Sequence, residues 1–154
     1  MTPEEMKRVH DEHVAAEGKK DLDAAMATYQ DGCFYENVPL GTRFDGKEQI
    51  SAYYTMLFNA LPDSDLEIEG EAYGDDVLVA WGTFRGTVQG EFMGLPATGK
   101  TLALPVVAVN TFKDGLMLGE HLYYDLVTLC EQGGLALDDV LKATAPLRAT
   151  AART

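Results

Sequence analysis

Hydrophobic spacing divides the chain into a helical first part and a strand-forming second part. Between Asp45 and Pro62 apolar side chains recur at three- and four-residue spacing, which predicts an amphipathic helix. Two shorter segments with the same period precede it, at residues 2–18 and 21–31. One early strand, residues 33–38, lies between the second and third predicted helices.

From Asp65 onwards the period changes to two. Residues 65–72 alternate acidic with apolar side chains, which is typical of a half-exposed strand. Three more strands are predicted at residues 77–89, 101–112 and 115–124, and the third of the four is apolar on both faces, so we expect both of its sides to be covered. Two short helices are then expected, starting near Asp125 and near Leu137. Helices followed by consecutive strands predict an α+β domain with an antiparallel sheet.

The length of the chain indicates the number of domains, and its net charge limits the classes of binding partner. A chain of 154 residues fits one domain, which we expect to span residues 1–146 with a loose tail at 147–154. The 25 acidic residues against 12 basic ones give a net charge of −13, so nucleic acid and anionic membranes are not expected partners. No signal peptide and no apolar run of about 18 residues is present, so a cytoplasmic protein with reduced thiols is expected.

Residues 94–101, Gly-Leu-Pro-Ala-Thr-Gly-Lys-Thr, match the phosphate-loop pattern letter for letter. That loop needs a buried strand before it and a helix N-terminus after it to hold phosphates. Here a strand-like segment broken by Pro105 follows instead. The segment is therefore predicted to be a turn or flap between two strands.

The histidines His10, His13 and His121 could bind zinc if all three converged. They have no cysteine or carboxylate at ligand spacing around them. We therefore expect no metal and no cofactor, and we expect His13 or His10 to line a pocket without a metal.

Asp125 is the strongest catalytic candidate, because it ends an apolar strand on which His121 and Tyr123 share its face. A carboxylate, a phenol and an imidazole would then meet at one wall. Apolar surroundings would raise the carboxyl pKa towards neutrality, which suits a general acid or base. The alternative is that Asp125 only caps the helix that follows it, a common role for aspartate.

Other candidates would bind the substrate. Tyr35 and Asn37 alternate onto one face of the early strand, where a phenol and an amide could hold a water or a carbonyl, or could satisfy the turn before Pro39. Trp81 and Phe58 are expected to contribute apolar walls, although a lone tryptophan is more often part of a core.

Residues 90–133 contain four characteristic segments, Phe92 to Lys100, Phe112 to Gly115, Glu120 to Asp125 and Leu129 to Gly133. Together they resemble the SnoaL-like polyketide cyclases of the nuclear-transport-factor-2-like superfamily, and they are the most specific part of that resemblance. The looser superfamily pattern covers Met6 to Gly134. The resemblance implies a cone-shaped fold in which a curved mixed or antiparallel sheet packs against three N-terminal helices around an internal apolar pocket.

The resemblance also implies residue roles. In these cyclases an aspartate near the end of the last strand acts as acid and base in an aldol ring closure without a cofactor, and Asp125 matches it. Tyr35 and Asn37 match a pair that helps to hold water in the related limonene epoxide hydrolases. Those enzymes also carry an arginine and an aspartate on a middle strand, which residues 81–83 lack. The related ketosteroid isomerases carry an aspartate where Val38 stands here.

We therefore expect a small-molecule enzyme that uses cofactor-free acid/base catalysis for aldol-type cyclisation or isomerisation of a hydrophobic keto substrate. A non-catalytic protein that binds a small apolar ligand and an epoxide-hydrolase-like enzyme are the alternatives. A homodimer is expected, with the apolar strand at residues 101–112 in its interface.

Overall fold

The computed structural model describes residues 1–148, in which five helices pack against one curved six-stranded sheet. The helices are α1 (Pro3–Lys19), α2 (Leu22–Ala27), α3 (Gly46–Ala60), α4 (Leu126–Gly133) and α5 (Leu137–Arg148). The strands are β1 (Tyr29–Asn37), β2 (Thr42–Asp45), β3 (Asp65–Gly74), β4 (Val77–Thr87), β5 (Thr101–Lys113) and β6 (Leu116–Tyr124).

The strand order is β2-β1-β6-β5-β4-β3. Strands β3 to β6 form an antiparallel meander, and β1 joins it by pairing parallel to β6. Strand β2, which the sequence did not predict, forms a short antiparallel pair with β1 after the turn at residues 38–41. The predicted fold class, an α+β cone with a mixed sheet, is confirmed.

The N-terminal helices begin where the sequence predicts. Thr2 and Glu5 form a reciprocal capping box at the start of α1, and Asp21 caps α2 through the backbone N–H of Ala24. Helix α2 is shorter than predicted because the chain enters β1 at Tyr29, which pairs with Met117 of β6. Sheet pairing over a long sequence distance thus overrides the helical spacing of residues 28–31.

Irregular pairing bends the sheet towards the helices. The register shifts between Ile68 and Gly70 in β3 and between Thr111 and Phe112 in β5. Such bulges increase local twist and curve a strand. At the β3 bulge the backbone passes so close to Gly82 that a Cβ there would lie 2.0 Å from the carbonyl oxygen of Glu67. The sheet therefore acquires a concave face that encloses a cavity.

Within a single chain strand β5 is covered on one face, so cover for the other face of residues 101–112 would have to come from another molecule. Its residues alternate strictly, with Leu102, Leu104, Val106 and Ala108 buried and the side chains between them exposed or half-buried. Since the long N-terminal helices pack on the concave side, the outer face of β5 stays open to solvent within a single chain.

The C-terminal helix α5 runs through Pro146 to Arg148, so residues 147 and 148 are helical and not part of a loose tail. The Arg148 guanidinium Nε donates to the carbonyl oxygen of Leu40 at 2.6 Å, which ties this helix to the turn after β1. The rest of the predicted tail, residues 149–154, lies outside the described residues.

Within residues 1–148, each helix is too short or too polar to cross a lipid bilayer.

Candidate active site

A cavity of about 160 Å³ lies between the concave face of the sheet and helices α1 and α3. Most of the cavity wall is apolar. The apolar lining comes from α3 and the residue that follows it, from β3, β4 and β5, and from the 88–96 segment: Leu57, Phe58, Leu61, Leu66, Phe84, Val88, Phe92, Leu102, Leu104 and Val106. An engineered cavity of about 150 Å³ binds benzene in another protein. The size and lining of this cavity therefore suit a small apolar organic molecule.

Polar side chains gather at the other end, where β1 and β6 pair in parallel. Tyr35 lies opposite Glu120 in this register, and the inward alternation brings Asn37 and Tyr124 to the same wall. The Tyr124 hydroxyl donates to the Asn37 amide oxygen at 2.9 Å, and the Tyr29 hydroxyl donates to Glu120 Oε2 at 3.2 Å. A carboxyl group, phenols and an amide thus converge on one side of an apolar cavity.

His13 reaches this polar wall from α1 and is held in one orientation. The Thr28 hydroxyl donates to the carbonyl oxygen of Ala25 at 2.7 Å, so its oxygen is left to accept from His13 Nδ1–H at 2.8 Å. The other ring nitrogen, Nε2, lies 3.2 Å from the Tyr54 hydroxyl and 3.4 Å from Glu17 Oε1. The proton on Nδ1 is therefore fixed by the fold, and Nε2 is the nitrogen that can change its protonation.

Glu17 and His13 form an ion pair one helical turn apart on α1. Burial opposes charge on both groups, but their mutual attraction and hydrogen bonding outweigh it. The pKa of His13 is therefore raised, and the pKa of Glu17 is lowered. Both shifts favour the charged forms of the pair, an imidazolium and a carboxylate.

The pKa of Glu120 is shifted in the opposite direction from that of Glu17. It is 8% exposed, and burial first and the negative charge of Glu17 second raise its pKa to about 7. His13 Nε2, at 4.0 Å from Glu120 Oε2, offsets part of this effect. Glu120 can therefore release and accept a proton near neutral pH, which a general acid/base group requires.

The phenols of this wall remain protonated and act as hydrogen-bond donors. Burial raises the pKa values of Tyr35, Tyr53 and Tyr54 above their ordinary range. The Tyr35 and Tyr53 hydroxyls are 3.5 Å apart, and the Asn37 amide nitrogen donates to the Tyr53 hydroxyl at 3.4 Å. These long hydrogen bonds leave the phenols able to turn towards a ligand oxygen.

The predicted catalytic group Asp125, His121 and Tyr123 does not face this cavity. Asp125 is exposed and accepts the backbone N–H of Thr128 at 3.0 Å, which is the capping role considered as its alternative. His121 pairs with Glu36 at 3.0 Å on the outer face, where Tyr123 is 44% exposed. Their expected placement in the pocket is wrong because the alternation of β6 turns the other face inward.

The inward face of β6 carries Glu120, Leu122 and Tyr124. The sequence signal for Glu120 was weak, since both faces of this strand mix polar and apolar side chains. Glu17, four residues after His13 in α1, is not among the residues predicted for the site. A histidine and a glutamate at this spacing on a buried helix face could have revealed the pair.

All five predicted substrate-binding residues border the cavity. Tyr35, Asn37 and His13 belong to its polar end, and Phe58 belongs to its apolar wall. Trp81 borders the same region, but its side chain is 41% exposed and covers Gly70 on the outer face, where an added Cβ would lie 2.2 Å from the indole ring. It is therefore a surface residue of the sheet.

The three histidines do not converge, because His121 lies on the opposite face of the sheet from His10 and His13. Among the described residues, one group could bring three ligand atoms together, namely His10, Asp11 and Glu71. The Lys7 ammonium already lies 2.9 Å from Asp11 and 3.4 Å from Glu71. A cation is thus already present as a side chain, and this arrangement does not indicate a metal site.

The segment that matches the phosphate-loop pattern is a flap. Leu95 of this segment forms an isolated bridge with Phe92, which precedes the segment, and β5 begins at Thr101 where a phosphate site needs a helix N-terminus. Its Pro96 borders the cavity, and the Thr98 hydroxyl donates to the carbonyl oxygen of Gly133 at 2.7 Å. The predicted turn or flap agrees with this geometry.

Comparisons with known proteins match this architecture. The family model described as SnoaL-like polyketide cyclase matches residues 7–133. A structure assigned to the SnoaL-like polyketide cyclases, from Jannaschia sp. CCS1, is 20% identical with a TM-score of 0.79, covering 88% of this chain and 97% of that one. TsrD from Streptomyces laurentii is 20% identical with a TM-score of 0.77, covering 88% and 99%. None of the curated proteins matches the sequence significantly.

A third solved structure has a ketosteroid isomerase-like fold. It comes from Catenulispora acidiphila, contains trimethylamine, and is 19% identical with a TM-score of 0.74, covering 90% of this chain and 98% of that one. At these identities the likeness establishes the shared fold.

Replacing Asp125 tests its capping role. Asp125→Ala removes the acceptor for the Thr128 N–H and should lower the free energy of unfolding by about 1 kcal/mol. Asp125→Asn keeps a good capping residue and should stay close to the wild-type value. Denaturant unfolding of both variants measures the difference. An equal loss in both variants would contradict the capping role.

The raised pKa of Glu120 predicts a pH-dependent stability. Since the folded protein holds this proton more tightly than the unfolded chain, whose glutamate titrates near 4.5, stability should fall as pH rises from about 4.5 to 7. Glu120→Gln removes this loss of stability. Its free energy of unfolding relative to that of wild type should therefore increase by up to about 3 kcal/mol between pH 4.5 and pH 8. Unfolding at both pH values measures the gain. A constant difference would contradict the raised pKa.

Proposed function

This chain belongs to the SnoaL-like polyketide cyclase family, and from that premise we propose that it is a cofactor-free acid/base enzyme for a hydrophobic keto compound. The reaction is an aldol-type cyclisation or an isomerisation. The observation that carries this proposal is the buried carboxyl of Glu120, which faces an apolar cavity and has a pKa of about 7.

The first step is the removal of a proton from a carbon next to the substrate carbonyl. Ionised Glu120 takes that proton and becomes a carboxylic acid, while the electron pair of the C–H bond moves to the carbonyl oxygen as an enolate. In an isomerisation Glu120 returns the proton to a different carbon. In a cyclisation the enolate carbon attacks a second carbonyl of the same molecule, and the new alkoxide takes the proton from Glu120.

The groups around Glu120 support both the removal of the proton and its return. The ion pair of His13 and Glu17 keeps a fixed charge distribution beside Glu120, and the negative charge of Glu17 helps to raise the Glu120 pKa. The buried phenols of Tyr35 and Tyr53 supply neutral O–H donors for a developing oxyanion. Such donors are most effective in a site that excludes water.

Epoxide hydrolysis is less consistent with the site. Tyr35 and Asn37 are both present in the cavity wall, as an epoxide hydrolase would require. The arginine that accompanies such a pair is missing, since no arginine lines the cavity in the described part of the chain. The proposal therefore favours proton transfer at carbon over attack of water on an epoxide.

Deuterium exchange tests the proposal without knowledge of the natural substrate. The probe is 2-tetralone, a small bicyclic ketone with acidic protons next to its carbonyl, incubated with the protein in D₂O and followed by NMR. The wild-type protein should accelerate exchange, and Glu120→Gln should reduce that acceleration at least ~100-fold. The rate should rise with pH through about 7, as Glu120 ionises.

The control is Asp125→Asn, which removes the carboxylate at the outer end of the same strand and should exchange at the wild-type rate. Loss of exchange in Asp125→Asn with retention in Glu120→Gln would instead support Asp125 as the base. Binding of 2-tetralone without any accelerated exchange would indicate a ligand-binding protein and would contradict the enzymatic proposal.

We also propose that the outer face of the sheet forms a homodimer. Trp81, Val107 and Tyr123 are cross-strand neighbours in the middle of the sheet, and they are 41%, 38% and 44% exposed. Such a row on central strands is an apolar patch of the kind that another protein surface covers. A second copy of the chain would cover it by presenting the same patch.

Val107→Glu places a charge at the centre of this row and should convert a dimer to a monomer. Sedimentation at micromolar concentration measures the change. The matched control is Val127→Glu, which alters an exposed valine on α4 outside the row and should leave the dimer intact. A wild-type monomer at micromolar concentration would contradict this proposal.

A further inference from the structure

Buried polar atoms without a hydrogen-bond partner are rare, and each one asks for an explanation. Among the described residues there are four such side-chain atoms: His10 Nδ1, Thr42 Oγ1, Glu71 Oε1 and Asn110 Nδ2. His10 and Glu71 face each other at 3.4 Å, so they account for one another. Thr42 lies in β2, away from the cavity. Only Asn110 lines the cavity without such a neighbour.

Asn110 stands directly beside the acid/base group. It lies opposite Glu120 in the β5–β6 register and opposite Leu78 in the β4–β5 register, and it is 1% exposed. Side chains of directly opposed residues on one face of an antiparallel pair have Cβ atoms about 4.5–5.5 Å apart. The side chains of Asn110 and Glu120 are therefore neighbours at the cavity wall.

The amide N–H group of Asn110 has no hydrogen-bond partner within the protein. Its neighbours on the inward face of β5 are Ala108 and Phe112, and both are buried and apolar. A leucine side chain has a similar branched shape and would leave no N–H group unpaired. A donor that is costly to bury and unused in the protein is explained if a ligand supplies the acceptor.

We propose that Asn110 binds the carbonyl oxygen of the substrate and selects ketones over hydrocarbons of the same shape. This inference rests on the proposed function and deepens it, because it gives one residue the task of recognising the reacting group. The Asn110 amide N–H donates to the carbonyl oxygen in the ground state. It donates more strongly to the enolate oxygen after Glu120 has taken the neighbouring proton.

The arrangement also orients the substrate. When the carbonyl oxygen of the substrate is bound to Asn110, the carbon that loses the proton is bonded directly to the carbonyl carbon. Glu120 lies next to Asn110 on the neighbouring strand. The proton to be removed is thus brought towards the carboxyl group. The tyrosines on the β1 side can then serve a second carbonyl, as a cyclisation requires.

The test compares binding of two ligands that differ only in the carbonyl. Wild-type protein should bind 2-tetralone about three- to tenfold more tightly than tetralin, the hydrocarbon of nearly the same shape, by calorimetric titration. Asn110→Leu should abolish this preference by weakening 2-tetralone and leaving tetralin unchanged or tighter. The matched control, Thr111→Val, changes the next residue of β5, which does not line the cavity, and should keep the wild-type preference.

Infrared spectroscopy adds a direct readout. The carbonyl stretch of bound 2-tetralone should shift to lower frequency in wild-type protein and in Thr111→Val, and the shift should be absent in Asn110→Leu. A purely structural asparagine would not affect this frequency. Thermal unfolding shows whether Asn110→Leu folds, and we expect a melting temperature equal to or above that of wild type, because an unpaired donor is removed.

The outcomes separate this inference from the proposed function. Equal binding of the two ligands to wild-type protein, failure of both to bind, or an unchanged preference in Asn110→Leu would overturn the role of Asn110. Unfolding of Asn110→Leu would show a structural need for the amide and would equally overturn it. Neither calorimetry nor infrared depends on turnover, so a protein that binds 2-tetralone through Asn110 but does not exchange its protons would contradict only the proposed reaction.

Discussion

The parallel pairing of β1 with β6 is the constraint on which the rest of this structure depends. It joins the helical N-terminal half to the four-stranded meander, since every other pairing in the sheet lies within one of those halves. It also sets Tyr35 opposite Glu120 at the cavity wall. A shift of one residue in β6 would turn its inward side chains outward, because successive side chains on a strand point to opposite faces.

Burial of charge gives this wall its chemistry. Three ionisable groups, His13, Glu17 and Glu120, lie close together at one end of an apolar cavity. Two of them form an ion pair, and the repulsion from Glu17 combines with burial to hold a proton on Glu120 near neutral pH. Removing charged groups from water is costly, and a site that keeps them without full pairing is a common feature of acid/base catalysis.

The sequence predicted the elements better than the site. Thr2 and Asp21 marked helix starts, and the spacing in α3 was confirmed to within two residues. The position of Asp125 at the end of an apolar strand was equally visible, but it favoured the wrong face of β6. Which face is inward depends on the register with β1, about 85 residues earlier in the chain, for example between Glu36 and His121. No local pattern encodes that register.

The sequence by itself determined the α+β class, the order of helices and strands apart from β2, and the family, because these follow from short-range periodicity and from a motif within residues 90–133. It also placed His13, Tyr35, Asn37 and Phe58 at positions that line the cavity. Only the tertiary structure decided that Glu120 and Asn110 face that cavity while Asp125 caps a helix in solvent. The physical reason is that burial and side-chain direction on a strand are set by long-range pairing and by the helices that cover one face.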